Sequence, residues 1–221
     1  YAMTLDKNIS KAKEILSTFS PKYIHIHSEE AFDQFIKSSQ SNTNAIHGNA
    51  DLNSLVCDNN IDIIVSAISG FAGLEATAIA ARTGKTVLLA NKVSIVTAGE
   101  IILSSASSTG TTIIPIDSEH NAIFQCLAGE KNTNDVSKII ITASGGPFLD
   151  KKLDELKNVT KEQALQHPNW SMGSKISIDS ATLVNKCLEL IEAKYLFDLD
   201  ENFFELVIHP QSIIHSIVTY R

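Results

Sequence analysis

The hexapeptide PIDSEH, residues 115–120, closes a run of apolar and β-branched residues and sets Asp117 and Glu119 two positions apart. In an extended chain such residues point to the same side. Two carboxylates ~4 Å apart repel by about 4 kcal/mol at an effective dielectric of 20, so this strand end needs a compensating charge. A third carboxylate is within reach of the argument. Glu189 follows Asn185 by four residues and Lys186 by three, so all three can share one helical face. Taken alone, the Lys186–Glu189 spacing reads as a surface salt bridge. Together, Asp117, Glu119 and Glu189 make an oxygen-rich site suited to Mg²⁺ or Mn²⁺, and a divalent cation would turn the repulsion into attraction.

In open α/β sheets, ligands bind beyond the carboxyl ends of the strands. Three polar clusters fall at such positions: Asn91-Lys92 after KTVLLA, Asp117-Ser118-Glu119 after TTIIPI, and Ser144-Gly145-Gly146 after KIIITA. Each alone reads as a turn or a helix cap; at successive strand ends they point to one site. Ser144, Ser180, Asn185 and Lys186 supply hydroxyl, amide and ammonium donors suited to a phosphate. Gly145 and Gly146 let backbone amides approach an anion. His167 and Trp170, in a loop with Gly173, read as parts of a lid that excludes water, with a packed loop anchor as the plainer reading of Trp170. His120 is expected to support the carboxylates rather than bind metal, and His25 and His27 carry no functional signal.

The elements that must position these residues alternate. ISKAKEILSTF, EEAFDQFIKSS, GLEATAIAARTG (with Gly84 as its stop) and SIVTAGEIILSSAS have helical patterns; YIHIH, IDIIVSAIS, KTVLLAN and TTIIPI are extended. The near-continuous apolar run IDIIVSAIS predicts a parallel strand covered on both faces. Strands alternating with helices predict α/β architecture with a doubly wound parallel sheet. Beyond residue 112 the pattern changes, which puts the expected division at 1–112 and 113–221. HNAIFQCLA reads as a helix, SKIIITAS as a strand, and Thr160-x-x-Gln163 as a capping box. HPNWSMGSK reads as a loop. IDSATLVNKCLELIEAKYLF reads as one long helix capped by Asp179 or Ser180, and FFELVIH and SIIHSIVTY as strands joined by a Pro-containing turn.

With 43% hydrophobic and 19% charged residues, the 221-residue chain has an ordinary globular composition. Its net charge of -7 argues against a nucleic-acid or anionic-membrane surface, and no run of about 18 apolar residues is present. Cys57, Cys126 and Cys187, far apart and without CxxC, read as reduced core residues of a cytosolic-type compartment. There is no GxSxG and no GxGxxG; Gly70-x-x-Gly73 is too weak for a dinucleotide loop. The start at Tyr1 and the end inside a β-rich run predict a piece of a longer protein.

LLANKVS, PIDSEHNAIFQ, ITASGGPF, HPNWSMGSKISIDSATLVNKCLELIEA and HPQSIIHS, in this order, resemble 1-deoxy-D-xylulose 5-phosphate reductoisomerase. The resemblance runs from about Asn8 to the end of the chain. It implies a partial Rossmann-like NADPH domain, then an α/β catalytic domain, in a cytoplasmic homodimer (or a plastid-type organelle, had a transit segment preceded Tyr1). The implied reaction rearranges 1-deoxy-D-xylulose 5-phosphate by retro-aldol and aldol steps. It then reduces the resulting aldehyde to 2-C-methyl-D-erythritol 4-phosphate with NADPH and Mn²⁺ or Mg²⁺, in the non-mevalonate isoprenoid pathway. Position by position, the resemblance assigns Asp117, Glu119 and Glu189 to the metal, and Lys92, Ser118 and Glu119 to the hydroxyl-bearing end of the substrate. It assigns Ser144, Ser180, Asn185 and Lys186, with His167 nearby, to the phosphate. Trp170 and Met172 fall in a flap, and Lys7, Asn8, Asn91 and Gly173 on the cofactor. Lys92, Glu119 and His167 are the expected catalytic residues.

There are departures. The family's glycine-rich loop and first strand are not within the chain, Val93 stands where a glutamate is expected, and Cys187 where a glycine is expected. Alternatives to the enzyme are a fragment that binds metal or phosphate or self-associates, and another NAD(P)-dependent dehydrogenase.

Overall fold

The computed structural model describes residues 1–38, 42–128, 135–167 and 173–221. Strands β1 (Ala2–Leu5), β2 (Tyr23–Ile26) and β3 (Asn44–His47) form one parallel sheet in that order, joined by helices α1 (Ile9–Thr18) and α2 (Glu29–Ser38). Helix α3 (Asn49–Cys57) leads to a second parallel sheet of β4 (Ile63–Ser66), β5 (Thr86–Leu89) and β6 (Thr112–Pro115). Here α4 (Leu74–Ala80) and α5 (Lys92–Thr109) are the crossovers. Then come α6 (Ser118–Leu127), β7 (Val136–Ala143), α7 (Leu153–Leu156), α8 (Lys161–Ala164), α9 (Ser174–Ala181), α10 (Val184–Phe197), β8 (Phe204–Ile208) and β9 (Ser216–Tyr220). In the third sheet β7 is central, parallel to β8 and antiparallel to β9.

The α/β class and the parallel βαβ units agree with the sequence pattern. The parallel strands, however, form two separate sheets of three, and β1, β3 and α3 carry too little apolar periodicity to have been expected. Strand β6 pairs with β5, so the division expected at residue 112 falls at the start of the last strand of the second sheet. The expectation that IDIIVSAIS is covered on both faces is corrected: Ile63 and Val65 are each 58% exposed, and only one face of β4 packs inward. The cysteines are not core residues either; all three are free and exposed.

Each sheet has its own core. Ile24 and Ile26 of β2 pack on Ile9, Ala12 and Phe35; Leu89 of β5 packs on Ile95 and Ile102 of α5; Ile139 and Ile141 of β7 pack on Ile123 and Ala193. Local signals start and stop the helices. Asn8 caps α1 by accepting from the Lys11 amide at 3.0 Å, and Thr160 and Gln163 form the expected reciprocal capping box of α8.

Two local features set where the site can form. Helix α5 is kinked at Ala98, whose φ of -141° is non-helical. At the next residue, Gly99, an added Cβ would lie 2.8 Å from the ring of Tyr195, so glycine is what lets α10 lie close against α5. The long helix expected over residues 178–197 is in fact two. Helices α9 and α10 meet at Thr182–Leu183, where Leu183 takes a left-handed conformation with φ 61°. Asp179 and Ser180 therefore lie inside α9 instead of capping a helix. A branched side chain at positive φ is strained, and the break turns α10 to aim Lys186 and Glu189 inward.

Candidate active site

Strands β5 and β6 deliver Lys92 and Asp117 from their carboxyl ends, the first turn of α6 adds Ser118 and Glu119, and α10 crosses over them with Asn185, Lys186 and Glu189. The inward face of α10 is its polar one: Lys186, Glu189, Glu192 and Ala193 are buried. The Lys186–Glu189 pair is thus no surface salt bridge, with side chains only 9% and 1% exposed.

One ligand oxygen from each of Asp117, Glu119 and Glu189 lies within 4.8 Å of the others. Two ammonium groups knit them together. Lys92 Nζ is 2.6 Å from Asp117 Oδ2 and 3.2 Å from Glu189 Oε1, and it donates to Asn185 Oδ1 at 2.9 Å. Lys186 Nζ is 2.7 Å from Glu119 Oε1 and 2.6 Å from Glu189 Oε2. The Asn185 amide also donates to Glu189 Oε1, and Ser118 Oγ donates to Glu119 Oε2 at 2.6 Å.

The electrostatics leave room for a further positive charge. Burial works against the charge on Lys92, but the neighbouring Asp117 and Glu189 outweigh it and raise its pKa. Burial would also raise Asp117, yet Lys92 holds it below the usual carboxylate range. Glu189 behaves differently. Burial pushes its carboxyl up, the Glu119 charge adds to the push, and Lys186 and Lys92 do not compensate. A carboxylate this buried and still short of positive charge, with two others beside it, fits a hard divalent cation with oxygen ligands.

Beneath the trio His120 pairs with Glu192, a residue that composition and spacing did not single out. His120 is fully buried; its Nε2 donates to the backbone carbonyl of Glu189 at 2.9 Å, and its Nδ1 is 3.2 Å from Glu192 Oε2. Burial opposes protonation of this imidazole, but the facing Glu192, with Asp117 and Glu189, outweighs it and raises the pKa. His120 thus supports the carboxylates, as expected. Glu192 had a sequence signal available, the i, i+3, i+6 row Lys186, Glu189, Glu192.

A cavity of about 310 Å³ opens onto the carboxylates. Lys92, Asp117, Ser118, Glu119, Asn185, Lys186 and Glu189 line it, and so do Ser144, Gly145, His167 and Ser180. The metal-type and phosphate-type residues therefore share one space. Ser144 Oγ lies 3.0 Å from His167 Nε2 and accepts from the Gly146 amide at 3.3 Å. Burial lowers the pKa of His167 and favours its neutral ring. Gly146 has φ 70°, and a Cβ there would come within 2.8 Å of the Ser180 carbonyl oxygen; this close approach brings Ser144 and Ser180 to the same wall.

Thr142, Leu183, Ser212 and His215 also line the cavity and were not expected. The segment HPQSIIHS offered a signal in its paired histidines and serines. Thr142 Oγ1 donates to the carbonyls of Ile214 and His215, the His209 ring accepts from the Ile213 and Ile214 amides, and Ser216 Oγ donates to the Glu119 carbonyl.

The residues expected at the cofactor are not gathered in this way. A second cavity, about 1010 Å³, lies at the carboxyl ends of β1, β2 and β4, lined by Asp6, His25, His27 and Ser69 among others. Lys7 stands beside Asp6, 3.9 Å away, but Lys7, Asn8, Asn91 and Gly173 line neither cavity. Asn91 is a buried bracket: its amide donates to the carbonyls of Ile68 and Gly70, and its oxygen accepts from the Ser94 amide. Gly173 is exposed at the start of α9. Trp170 and Met172 lie outside the described residues.

Comparison with known proteins gives the following. The sequence model for 1-deoxy-D-xylulose 5-phosphate reductoisomerase matches residues 1–99, and that for the C-terminal domain of the same enzyme matches residues 113–197. The chain is 49% identical to 1-deoxy-D-xylulose 5-phosphate reductoisomerase of Clostridium tetani, covering 100% of this chain and 58% of the relative. It is 46% identical to that of a Geobacillus species, with the same coverage. A crystal structure of DOX-P reductoisomerase in complex with NADPH, fosmidomycin and magnesium superposes with a TM-score of 0.93 at 43% identity, over 100% of this chain and 57% of that one. The Zymomonas mobilis enzyme in complex with NADPH gives 0.87 at 44%, over 99% and 56%. The chain spans about 58% of the length of the curated relatives it matches.

Proposed function

The chain belongs to the 1-deoxy-D-xylulose 5-phosphate reductoisomerase family, and we propose that it is the central part of an enzyme converting 1-deoxy-D-xylulose 5-phosphate to 2-C-methyl-D-erythritol 4-phosphate. The observation that carries this reading is the convergence of Asp117, Glu119 and Glu189 in the cavity that Ser144, His167, Ser180 and Lys186 also line. The relatives' complexes with NADPH and magnesium support the same cofactors here.

When bound, the cation supplies Lewis-acid polarisation of the substrate's oxygens and NADPH supplies the hydride. The chain's own residues do the rest. Asp117, Glu119 and Glu189 hold the cation. Lys92, held by Asp117, Glu189 and Asn185, keeps two of those carboxylates in register and places its positive charge at the hydroxyl-bearing end of the substrate, beside Ser118. Ser144, Ser180, Asn185 and Lys186 bind the phosphate, with the neutral His167 adjoining Ser144. Gripping the non-reacting phosphate orients the reacting carbons and contributes binding energy remote from the chemistry. Lys7, Asn8, Asn91 and Gly173 serve the cofactor side.

The division into a cofactor part, 1–112, and a catalytic part, 113–221, belongs to this reading, as do a cytoplasmic location and a homodimer. Among the described residues no helix is long and apolar enough to cross a membrane.

The test is NADPH oxidation by the full-length protein with 1-deoxy-D-xylulose 5-phosphate and Mn²⁺. We expect turnover that requires both substrate and cation. Oxidation that proceeds equally with an unrelated 2-hydroxy acid or its ketone, or no oxidation at all, would reject the assignment.

A further inference from the structure

We propose that Glu192 is a positioning residue: through His120 it clamps helix α10 onto helix α6 and so fixes the spacing between the metal carboxylates contributed by the two helices. This rests on the reading of Asp117, Glu119 and Glu189 as a cation site.

Asp117 and Glu119 stand at the start of α6, whereas Glu189 belongs to α10. A chelate built from two helices is only as good as the distance between them. Lys186 ties the helices together, but it does so through the ligand oxygens themselves, bridging Glu119 and Glu189. The His120–Glu192 link is different in kind. His120, on α6, reaches the backbone carbonyl of Glu189 at 2.9 Å with one ring nitrogen and faces Glu192 Oε2 at 3.2 Å with the other. It joins the helices without using a carboxylate oxygen of the trio.

The burial of this link is the unusual part. His120 and Glu192 are 0% and 1% exposed, and His120 Nδ1 and Glu192 Oε2 have no aligned hydrogen-bond partner among the described residues. Taking a carboxylate and an imidazole out of water is costly unless their geometry is well satisfied. An apolar pair would fill the space at lower cost, but it could not hold the imidazole with one N–H aimed at the Glu189 carbonyl. A carboxylate that holds a metal-ligating histidine orients that ligand, and losing such a partner typically weakens metal affinity about 10–100-fold. Glu192 is placed for that role one step further back, acting on a ligand's backbone instead of its side chain.

The experiment measures Mn²⁺ affinity of the full-length protein, from the electron paramagnetic resonance signal of free Mn²⁺, in Glu192→Gln, His120→Asn and the double variant. A two-helix clamp predicts about 10–100-fold weaker binding in Glu192→Gln at an unchanged stoichiometry. It also predicts a double variant no worse than the weaker single, because the two residues act as a unit. Should Glu192→Gln fail to fold, Glu192→Asp carries the test: it keeps the charge, draws the oxygen back from His120, and is expected to weaken Mn²⁺ binding several-fold. Unchanged affinity in whichever variant folds overturns the proposal. So does the loss of one of two bound Mn²⁺ ions, which would make Glu192 a ligand in its own right. The proposed reaction can fail separately, since the Mn²⁺ signal is read without substrate or NADPH.

Discussion

At the residue scale, the trio Asp117, Glu119 and Glu189 was readable because like charges two apart at a strand end pose a problem that something must solve. Spacing alone could not say that the helix would turn its charged face inward; burial of Lys186 and Glu189 is a tertiary fact. Glu189→Gln keeps the shape and removes the charge, so we expect Mn²⁺-dependent turnover in the full-length protein to be lost, with the unfolding midpoint in chelator unchanged or raised. A rise follows because the buried carboxylate has an elevated pKa, so its ionised form is disfavoured in the fold. Gly146→Ala tests the other wall of the cavity. With φ 70° and a Cβ 2.8 Å from the Ser180 carbonyl, it should cost about 1–3 kcal/mol in stability and raise KM for the phosphate substrate more than it lowers kcat. Thr142 escaped notice because a lone Thr in an apolar strand has no spacing signature. The signals of Glu192 (the Lys186, Glu189, Glu192 row) and His215 (the paired histidines of HPQSIIHS) acquire meaning only once the fold brings Thr142 and His215 to the cavity and Glu192 to His120.

Elements were legible where periodicity and punctuation agreed, as in α1, α5 and β5–β7, and illegible where the chain departs from its own residue preferences. The apolar pattern from Ile178 to Phe197 runs on without a Gly or Pro, so nothing in it marks the break at Leu183, a leucine held at φ 61°. Packing overrides propensity there, and the cost is accepted at the cavity wall, where strained residues cluster. The contact of α5 with α10 is equally specific. Gly99→Val would drive a side chain into Tyr195; we expect a loss of about 1–3 kcal/mol from overpacking together with weaker Mn²⁺ binding, because Glu189 rides on the displaced helix. Strand β2 carries a pH dependence of its own. Burial holds the His25 ring below its ordinary pKa of 6.5, outweighing the Gly48 carbonyl that favours protonation. The unfolded chain therefore binds more protons as pH drops below about 6.5, and stability falls with it. In a thermal-unfolding series from about pH 7.5 to 5, His25 contributes a downward component, opposed by His120 and Glu189, whose pKa values are raised. His25→Gln should therefore make the midpoint fall less, or rise more, towards low pH than in the unsubstituted protein.

On the scale of the whole chain, alternation of strands and helices was enough to give the α/β class and its parallel βαβ units, but not which strand pairs with which. Which strands become neighbours is decided by non-local hydrogen bonding that no local pattern encodes. The same holds for the site: strand ends 89–92 and 115–119 and helix 184–197 meet only once both second- and third-sheet units are folded. A ligand that binds the folded state alone stabilises it by about 2.7 kcal/mol at a hundredfold excess over Kd, which is roughly 5–10 °C for a chain of this size. Mn²⁺ or Mg²⁺ should raise the unfolding midpoint by that order, chelator should reverse the gain, and Glu189→Gln should abolish it.

Crystals of the full-length protein grown with Mn²⁺ and measured at the manganese absorption edge give the most direct reading of the site. One anomalous peak about 2.0–2.6 Å from carboxylate oxygens of Asp117, Glu119 and Glu189 together is the predicted result. A peak bound by other residues, or none at saturating Mn²⁺ with the two lysines still bridging the carboxylates, would contradict the account.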